Sequence, residues 1–204
     1  MESSILIKDA RVIDLGGSFN GKKVSIRIEN GVITEIGKDL KPKKSKVWEE
    51  ENLCVSPGWM DGQAHFRDPG EELKEGLLRG LDAASAGGFT DVSVLPSTTP
   101  VIDNKASVAY LIARSIEGGS ACDAHPIGCI SEHRKGSQLA ELLDMAKAGA
   151  IAFSDDGPVE RAGLIHRALE YLKPSGDVLG EQIIQIKAYV KCKYNPKTKM
   201  SKWK

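Results

Sequence analysis

Leu53-Cys54-Val55-Ser56-Pro57-Gly58-Trp59-Met60, followed at once by Asp61-Gly62-Gln63-Ala64-His65-Phe66-Arg67-Asp68-Pro69-Gly70, is the stretch that decides the fold. The apolar run from Leu53 to Met60 reads as a buried strand. The decapeptide after it places a carboxylate, an amide, an imidazole and a guanidinium on alternate residues. Alternate side chains of a strand share a face, so Asp61, Gln63, His65 and Arg67 are expected to point into one cavity. A metal-binding pair would want histidine at both 63 and 65, and position 63 is Gln.

C-terminal to this stretch, apolar strand patterns alternate with helical ones. The expected strands are Leu53–Met60, Phe89–Leu95, Ala124–Ile130 and Ala150–Phe153. The expected helices are Lys74–Ala86, Asn104–Ile116, Gln138–Ala148 and Val159–Leu172, the first three closed by glycines. Four strand–helix units repeating at roughly 30 residues predict a parallel sheet with right-handed crossovers. An open doubly wound sheet or part of a (β/α)8 barrel satisfies this. Polar residues follow every strand: Gln63 to Arg67, Pro96 to Thr99, Ser131 to Arg134 and Ser154 to Gly157. That accumulation fits the active-site rim of a barrel. No glycine-rich nucleotide loop is present to favour the open sheet.

N-terminal to it, Ile5–Ile7, Lys8–Ile13, Val24–Ile28 and Val32–Ile36 read as short strands separated by Gly16-Gly17, Asn20-Gly21 and Asn30-Gly31. Lys38–Lys46 reads as a solvated turn. Residues 173–204 do not continue the unit. Val178–Val190 is apolar enough for one strand, no acid follows Gln182, and seven lysines accumulate from Lys187 to Lys204. This divergent, Lys-rich tail reads as the product of a truncation or a shifted reading frame.

Lysine plus arginine and aspartate plus glutamate balance at 28 each, which argues against a nucleic-acid binder. The four cysteines are scattered with no CxxC pair, indicating reduced thiols rather than a zinc knuckle or disulfide framework. No apolar run approaches the roughly 20 residues of a membrane span, and no leader pattern opens the chain. The expectation is a soluble, cytoplasmic protein with no nucleic-acid or membrane partner.

Ser56-Pro57-Gly58-Trp59-Met60-Asp61 leading into His65-Phe66-Arg67-Asp68-Pro69-Gly70, Ala86-Gly87-Gly88-Phe89-Thr90, Leu95-Pro96-Ser97-Thr98-Thr99-Pro100 and Ala148 to Gly157 together resemble the dihydroorotases of the metal-dependent amidohydrolase superfamily. The resemblance covers residues 4–172. It implies an α/β fold: a partial (β/α)8 TIM-type barrel of about four strand–helix units with a small N-terminal β-sandwich. It also implies a division into 1–52 (sandwich segment), 53–172 (first half of the barrel) and 173–204 (tail). The implied activity is reversible hydrolysis of dihydroorotate to N-carbamoyl-aspartate in pyrimidine synthesis. Zinc would activate water and polarise the carbonyl.

By this resemblance His65 matches the second histidine of a metal-binding pair and Asp156 a bridging carboxylate, while Gln63 replaces the first histidine. Arg67 matches the arginine that grips the substrate carboxylate, and Ser97 stands where an asparagine usually helps it. The later histidines and the general-base aspartate of the family would lie beyond residue 172, where nothing matches. Asp155-Asp156 also suits a turn and helix cap, and Asp103-Asn104 caps the helix after it. His125 is expected to pack, His133 to lie near a ligand and His166 to be structural. Two function classes follow: an amidohydrolase impaired as this fragment, or a non-catalytic dihydroorotase-like scaffold for aspartate carbamoyltransferase. Hydantoinase or allantoinase chemistry is a more distant third. Open sheet edges further predict self-association.

Overall fold

The structure, a computed structural model, describes residues 4–159 and 161–173, together with the backbone strands at 183–184, 192–195 and 200–203. The chain divides into two compact units with the break between Pro57 and Gly58.

The first unit is built around β1 (Ser4–Val12). On one edge β1 pairs antiparallel with β2 (Lys23–Glu29), and β2 with β3 (Val32–Gly37). On its other edge β1 pairs parallel, end to end, with β4 (Lys46–Trp48) and β5 (Cys54–Val55). Among the described residues the expected sandwich segment is thus one five-stranded sheet. The two strands read at 5–7 and 8–13 are one, irregular between Ile7 and Ala10. The Lys38–Lys46 loop is mostly exposed, yet it has a structural task. Arg27 is buried, and its guanidinium donates to Lys41 O (2.6 Å), Ser45 Oγ (2.8 Å) and Glu35 Oε2 (3.1 Å). A buried guanidinium is tolerable only with its donors satisfied in this way.

The Leu53–Met60 strand is corrected. It is two strands in two sheets: β5, and β6 (Trp59–Ala64) in the second unit. Ser56-Pro57-Gly58 separates them, where proline removes a ladder donor and glycine loosens the chain.

The second unit is a parallel sheet in the order of the chain: β6, β7 (Phe89–Val94), β8 (Asp123–Gly128), β9 (Ala152–Phe153) and β10 (Ile183–Ile184). Between the strands run α1 (Leu77–Ala86), α2 (Lys105–Gly118) and α3 (Leu142–Lys147), and α4 (Ala162–Leu172) follows β9. Leu77 and Leu81 of α1 repeat at four residues, and Val108 and Leu111 of α2 at three. All four are fully buried in one cluster with Val92, Val94, Ala124 and Phe153 of the sheet. Each such leucine contributes about 2 kcal/mol through burial. Leu95, Ile127 and Ala152 form a separate small cluster. Asn104 caps α2 by accepting from Ala106 N and Ser107 N at 3.0 Å, as its sequence position predicts. Gly119, left-handed at φ 62°, ends that helix. The helices begin one to four residues later than their hydrophobic periods predict.

The second unit is the partial half-barrel of parallel strands that the resemblance implies, and the first is a separate, mainly antiparallel sheet. Most of the 173–204 tail lies outside the described residues. Within it, β11 (Cys192–Asn195) and β12 (Met200–Trp203) pair with each other. No helix among the described residues is long and apolar enough to cross a membrane.

Candidate functional site

The four strand–helix connections gather at the C-terminal end of the parallel sheet, the end that carries chemistry in barrels. β6 stops at Ala64, so His65 and Arg67 belong to the loop that follows. Arg67 is left-handed at φ 57°, which breaks the alternation a strand would impose. The expected convergence of Asp61, Gln63, His65 and Arg67 is accordingly corrected. Asp61 Oδ1 accepts from Gln63 N at 3.0 Å, and Arg67 donates to Glu71 Oε2 at 2.8 Å. His65 alone turns to residues from other strand ends.

His65 Nδ1 lies 2.9 Å from Ser97 Oγ, after β7, and His65 Nε2 lies 3.7 Å from Asp156 Oδ2, after β9. Ser97 therefore pins the ring by one nitrogen and leaves the other facing a carboxylate. That is the arrangement by which an outer residue orients a ligating histidine. The separation from Asp156 is too long for a hydrogen bond and leaves room between the two groups.

Asp156 sits on a turn that two other residues build. Asp155 is buried, and its Oδ1 accepts from Ile130 N (2.8 Å) and Ser131 N (2.9 Å) while its Oδ2 accepts from Ser131 Oγ. It ties the end of β9 to the end of β8 and does not cap α4, whose N-cap is Arg161. Arg134 Nε donates to Asp155 O (2.7 Å) and Nη2 to Asp156 O (3.0 Å), with Nη2 3.6 Å from Asp156 Oδ2. Sequence reasoning gave Asp155 a turn-and-cap role in place of this one, and gave Arg134 none. Their partners are largely backbone atoms of a distant strand end, which no residue spacing announces. The one signal at hand was the charged loop Ser131-Glu132-His133-Arg134.

The remaining histidines have partners. His133 Nδ1 lies 3.1 Å from Asp103 Oδ2, which also accepts from His133 N at 3.0 Å. His125 Nε2 lies 2.7 Å from Asp91 Oδ1, a pair within strands β8 and β7. His166, exposed on α4, lies 3.5 Å from Glu170. Burial pushes the Cys129 thiol far above its ordinary value, so it is no nucleophile.

As a zinc site the arrangement is short of donors. A catalytic zinc takes about three protein ligands. His65 and Asp156 supply two, and position 63 offers an amide. Among the described residues no group of three or more His, Cys, Asp or Glu is placed to hold a metal ion. The residues present do not fit a complete catalytic zinc centre.

Residues 53–174 match the dihydro-orotase-like family. A dihydroorotase of Pelobacter propionicus is 42% identical over 172 residues, spanning 83% of this chain and 40% of its own length. One of Acetivibrio thermocellus is 44% identical over 168 residues, spanning 82% and 39%. The chain thus spans about two fifths of the length of these curated relatives. Among solved structures, L-hydantoinase from Arthrobacter aurescens superposes with a TM-score of 0.65 at 18% identity, over 90% of this chain and 40% of its own. N-acyl-D-glutamate deacylase from Bordetella bronchiseptica, complexed with zinc and a phosphonate inhibitor, gives 0.58 at 15% identity, over 90% and 44%. A dihydroorotase crystal structure gives 0.52 at 15% identity, over 74% and 42%. The structural likenesses show the fold alone. The family match spans residues 53–174, more than half of the sequence, and on that ground the chain belongs to the dihydroorotase-like family.

Proposed function

We propose that this chain carries part of a dihydroorotase-type site, acting on the cyclic amide bond of dihydroorotate in reversible exchange with N-carbamoyl-aspartate, in the cytoplasm. The observation that carries the reading is the open His65–Asp156 pair, held from behind by Ser97, at the C-terminal end of the parallel sheet. In this reading residues 1–52 are the sandwich segment, 53–172 the first half of the barrel and 173–204 a divergent tail.

Each residue has a role in this reading. His65 and Asp156 are the metal-facing pair. Zinc, when a full ligand set is provided, supplies a Lewis acid and an activated water. Arg67, 40% exposed and paired with Glu71, exchanges that partner for the substrate carboxylate. Ser97 orients His65: with Nε2 turned to the metal, Nδ1–H donates to Ser97 Oγ, and the hydroxyl proton is left to donate to the substrate carboxylate.

With two donors in place, the 204-residue chain alone is expected to turn over neither substrate, with or without zinc. It is still expected to bind N-carbamoyl-aspartate, and R67Q to lose that binding by tenfold or more, the order of one charge-assisted contact. Isothermal titration of wild type and R67Q checks this. Equal binding by the two removes the substrate reading.

Gln63 in a ligand's place favours a second reading, a non-catalytic subunit on aspartate carbamoyltransferase. Co-elution of the two purified proteins in sizing chromatography, with no substrate binding, would select it. The same column tests for the homo-oligomer that an open sheet edge invites.

A further inference from the structure

Two nitrogen groups, an imidazole and a guanidinium, converge on one oxygen. Asp156 Oδ2 has His65 Nε2 at 3.7 Å on one side and Arg134 Nη2 at 3.6 Å on the other. Arg134 does not reach this position as a swinging surface chain. Two of its donors are spent on the carbonyls of Asp155 and Asp156 themselves, at 2.7 and 3.0 Å. The guanidinium is planar and always charged, so fixing two N–H groups fixes the direction of the charge.

The backbone on both sides of this contact is held in an unfavourable form. His133 (φ 52°), Arg134 (φ 61°) and Asp156 (φ 46°) are all left-handed without being glycine. Such conformations are uncommon for these residues and persist where the surroundings over-determine them. Here the surroundings are the Asp155 tie to the end of β8 and the His133 bonds to Asp103. These three lie on the two segments that carry the guanidinium and the carboxylate together.

We propose that Arg134 is an internal cation for Asp156: a fixed positive charge that neutralises this carboxylate within the chain itself, in place of the charge a metal would bring. It is a positioning and charge-compensating residue. The proposal rests on the reading of His65 and Asp156 as the metal-facing pair. It accounts for a site that folds with two donors: the carboxylate is neutralised before any ion arrives. Its consequence is that Arg134 opposes a divalent cation at this position, because a fixed charge close to the ligand oxygen repels an incoming ion of the same sign.

The test is a zinc titration of the full chain against a competing chelator, for wild type, R134Q, R134K, D156N, H65A and the double variant R134Q/D156N. Glutamine retains a donor for a carbonyl but removes the charge, and lysine keeps the charge. R134Q is expected to bind zinc about tenfold more tightly than wild type, R134K within about threefold of it, and the double variant to lose the gain. A purely structural arginine would give the opposite pattern, with R134Q and R134K both weaker than wild type. Zinc should also raise the thermal midpoint of R134Q more than that of wild type, by linkage.

Unchanged or weaker zinc affinity in R134Q overturns the proposal. If D156N and H65A still weaken binding in that case, the metal-facing pair stands without it. Wild-type affinity in both D156N and H65A removes the pair and the Arg134 proposal together. An R134Q chain that is unfolded in chelator and folds on adding zinc supports the proposal, and one that stays unfolded overturns it.

Discussion

The parallel sheet carries two histidines that face carboxylates, one pair within its strands and one beyond their C-terminal ends, and the two pairs are built differently. Within β7 and β8, His125 Nε2 and Asp91 Oδ1 are 2.7 Å apart, and Asp91 Oδ2 takes the Thr90 hydroxyl at 2.7 Å. At the C-terminal end His65 and Asp156 stand 3.7 Å apart, with Ser97 behind the histidine and Arg134 beside the carboxylate. The first pair is closed and satisfied on adjacent strands. The second is held open by residues that serve it from three different loops. A histidine beside a carboxylate is therefore not in itself a site. What distinguishes a site is a gap that other residues maintain, at the cost of backbone strain.

The largest effect expected from this contrast lies in what holds the gap. Removing the buried Asp155 carboxylate leaves the amides of Ile130 and Ser131 and the Ser131 hydroxyl without their acceptor. D155A should lose about 3 kcal/mol, read as a lower urea midpoint at unchanged slope. D91A, at the partly exposed closed pair, should lose less than about 1 kcal/mol. Equal losses would mean that the open pair has no more internal support than the closed one.

Glycines sharpen the same contrast at the next size down. Gly70, at φ 109° in the loop after β6, is packed so that a Cβ would meet Thr99 O at 2.2 Å. Gly88, at φ 89° just before β7, has open space around it. Alanine at 88 carries only the left-handed backbone penalty, about 1 kcal/mol. At 70 it must also push the backbone after β7, and G70A should lose about 1–3 kcal/mol beyond G88A. Thermal or urea unfolding of the two variants decides it. Matching losses would show that the loop after β6 is not clamped to the loop after β7.

The contrast also marks what the sequence could convey. Strand and helix identities were legible because burial on one face imposes a period, and α1 and α2 bury residues at that period. The Asn104 cap and the polar strand ends were legible because the residue types themselves carry the chemistry. The division of Leu53–Val55 from Trp59 was not, since an apolar run does not say which of two sheets it joins. β4 was missed because Lys46–Trp48 is exposed throughout. His65, Ser97 and Asp156 were found as positions, but the bond from Ser97 to His65 depends on how two loops approach. Arg134 and Asp155 act largely through backbone atoms of another segment, so only coordinates show what they do.

The smallest predicted effect concerns the closed pair. Partial burial pushes the Asp91 carboxyl up, but the Thr90 hydroxyl and His125 outweigh it and leave it below the ordinary 3.8. A carboxyl depressed in the folded state contributes stability that is present above its unfolded value and lost as pH falls through the folded one. Wild type should therefore exceed D91N in thermal midpoint at about pH 5, with the difference closing toward about pH 3. Asp91 is more than a third exposed, so solvent screening holds the difference well under about 1 kcal/mol. A difference that widens on acidification would reverse the sign and with it the account of this pair as a satisfied structural contact. Zinc affinity is the more searching readout. D91N should leave it unchanged, because a carboxylate whose two oxygens are both engaged offers an ion little. If D91N lowered zinc affinity as much as D156N, spacing would no longer separate a structural histidine pair from an open one.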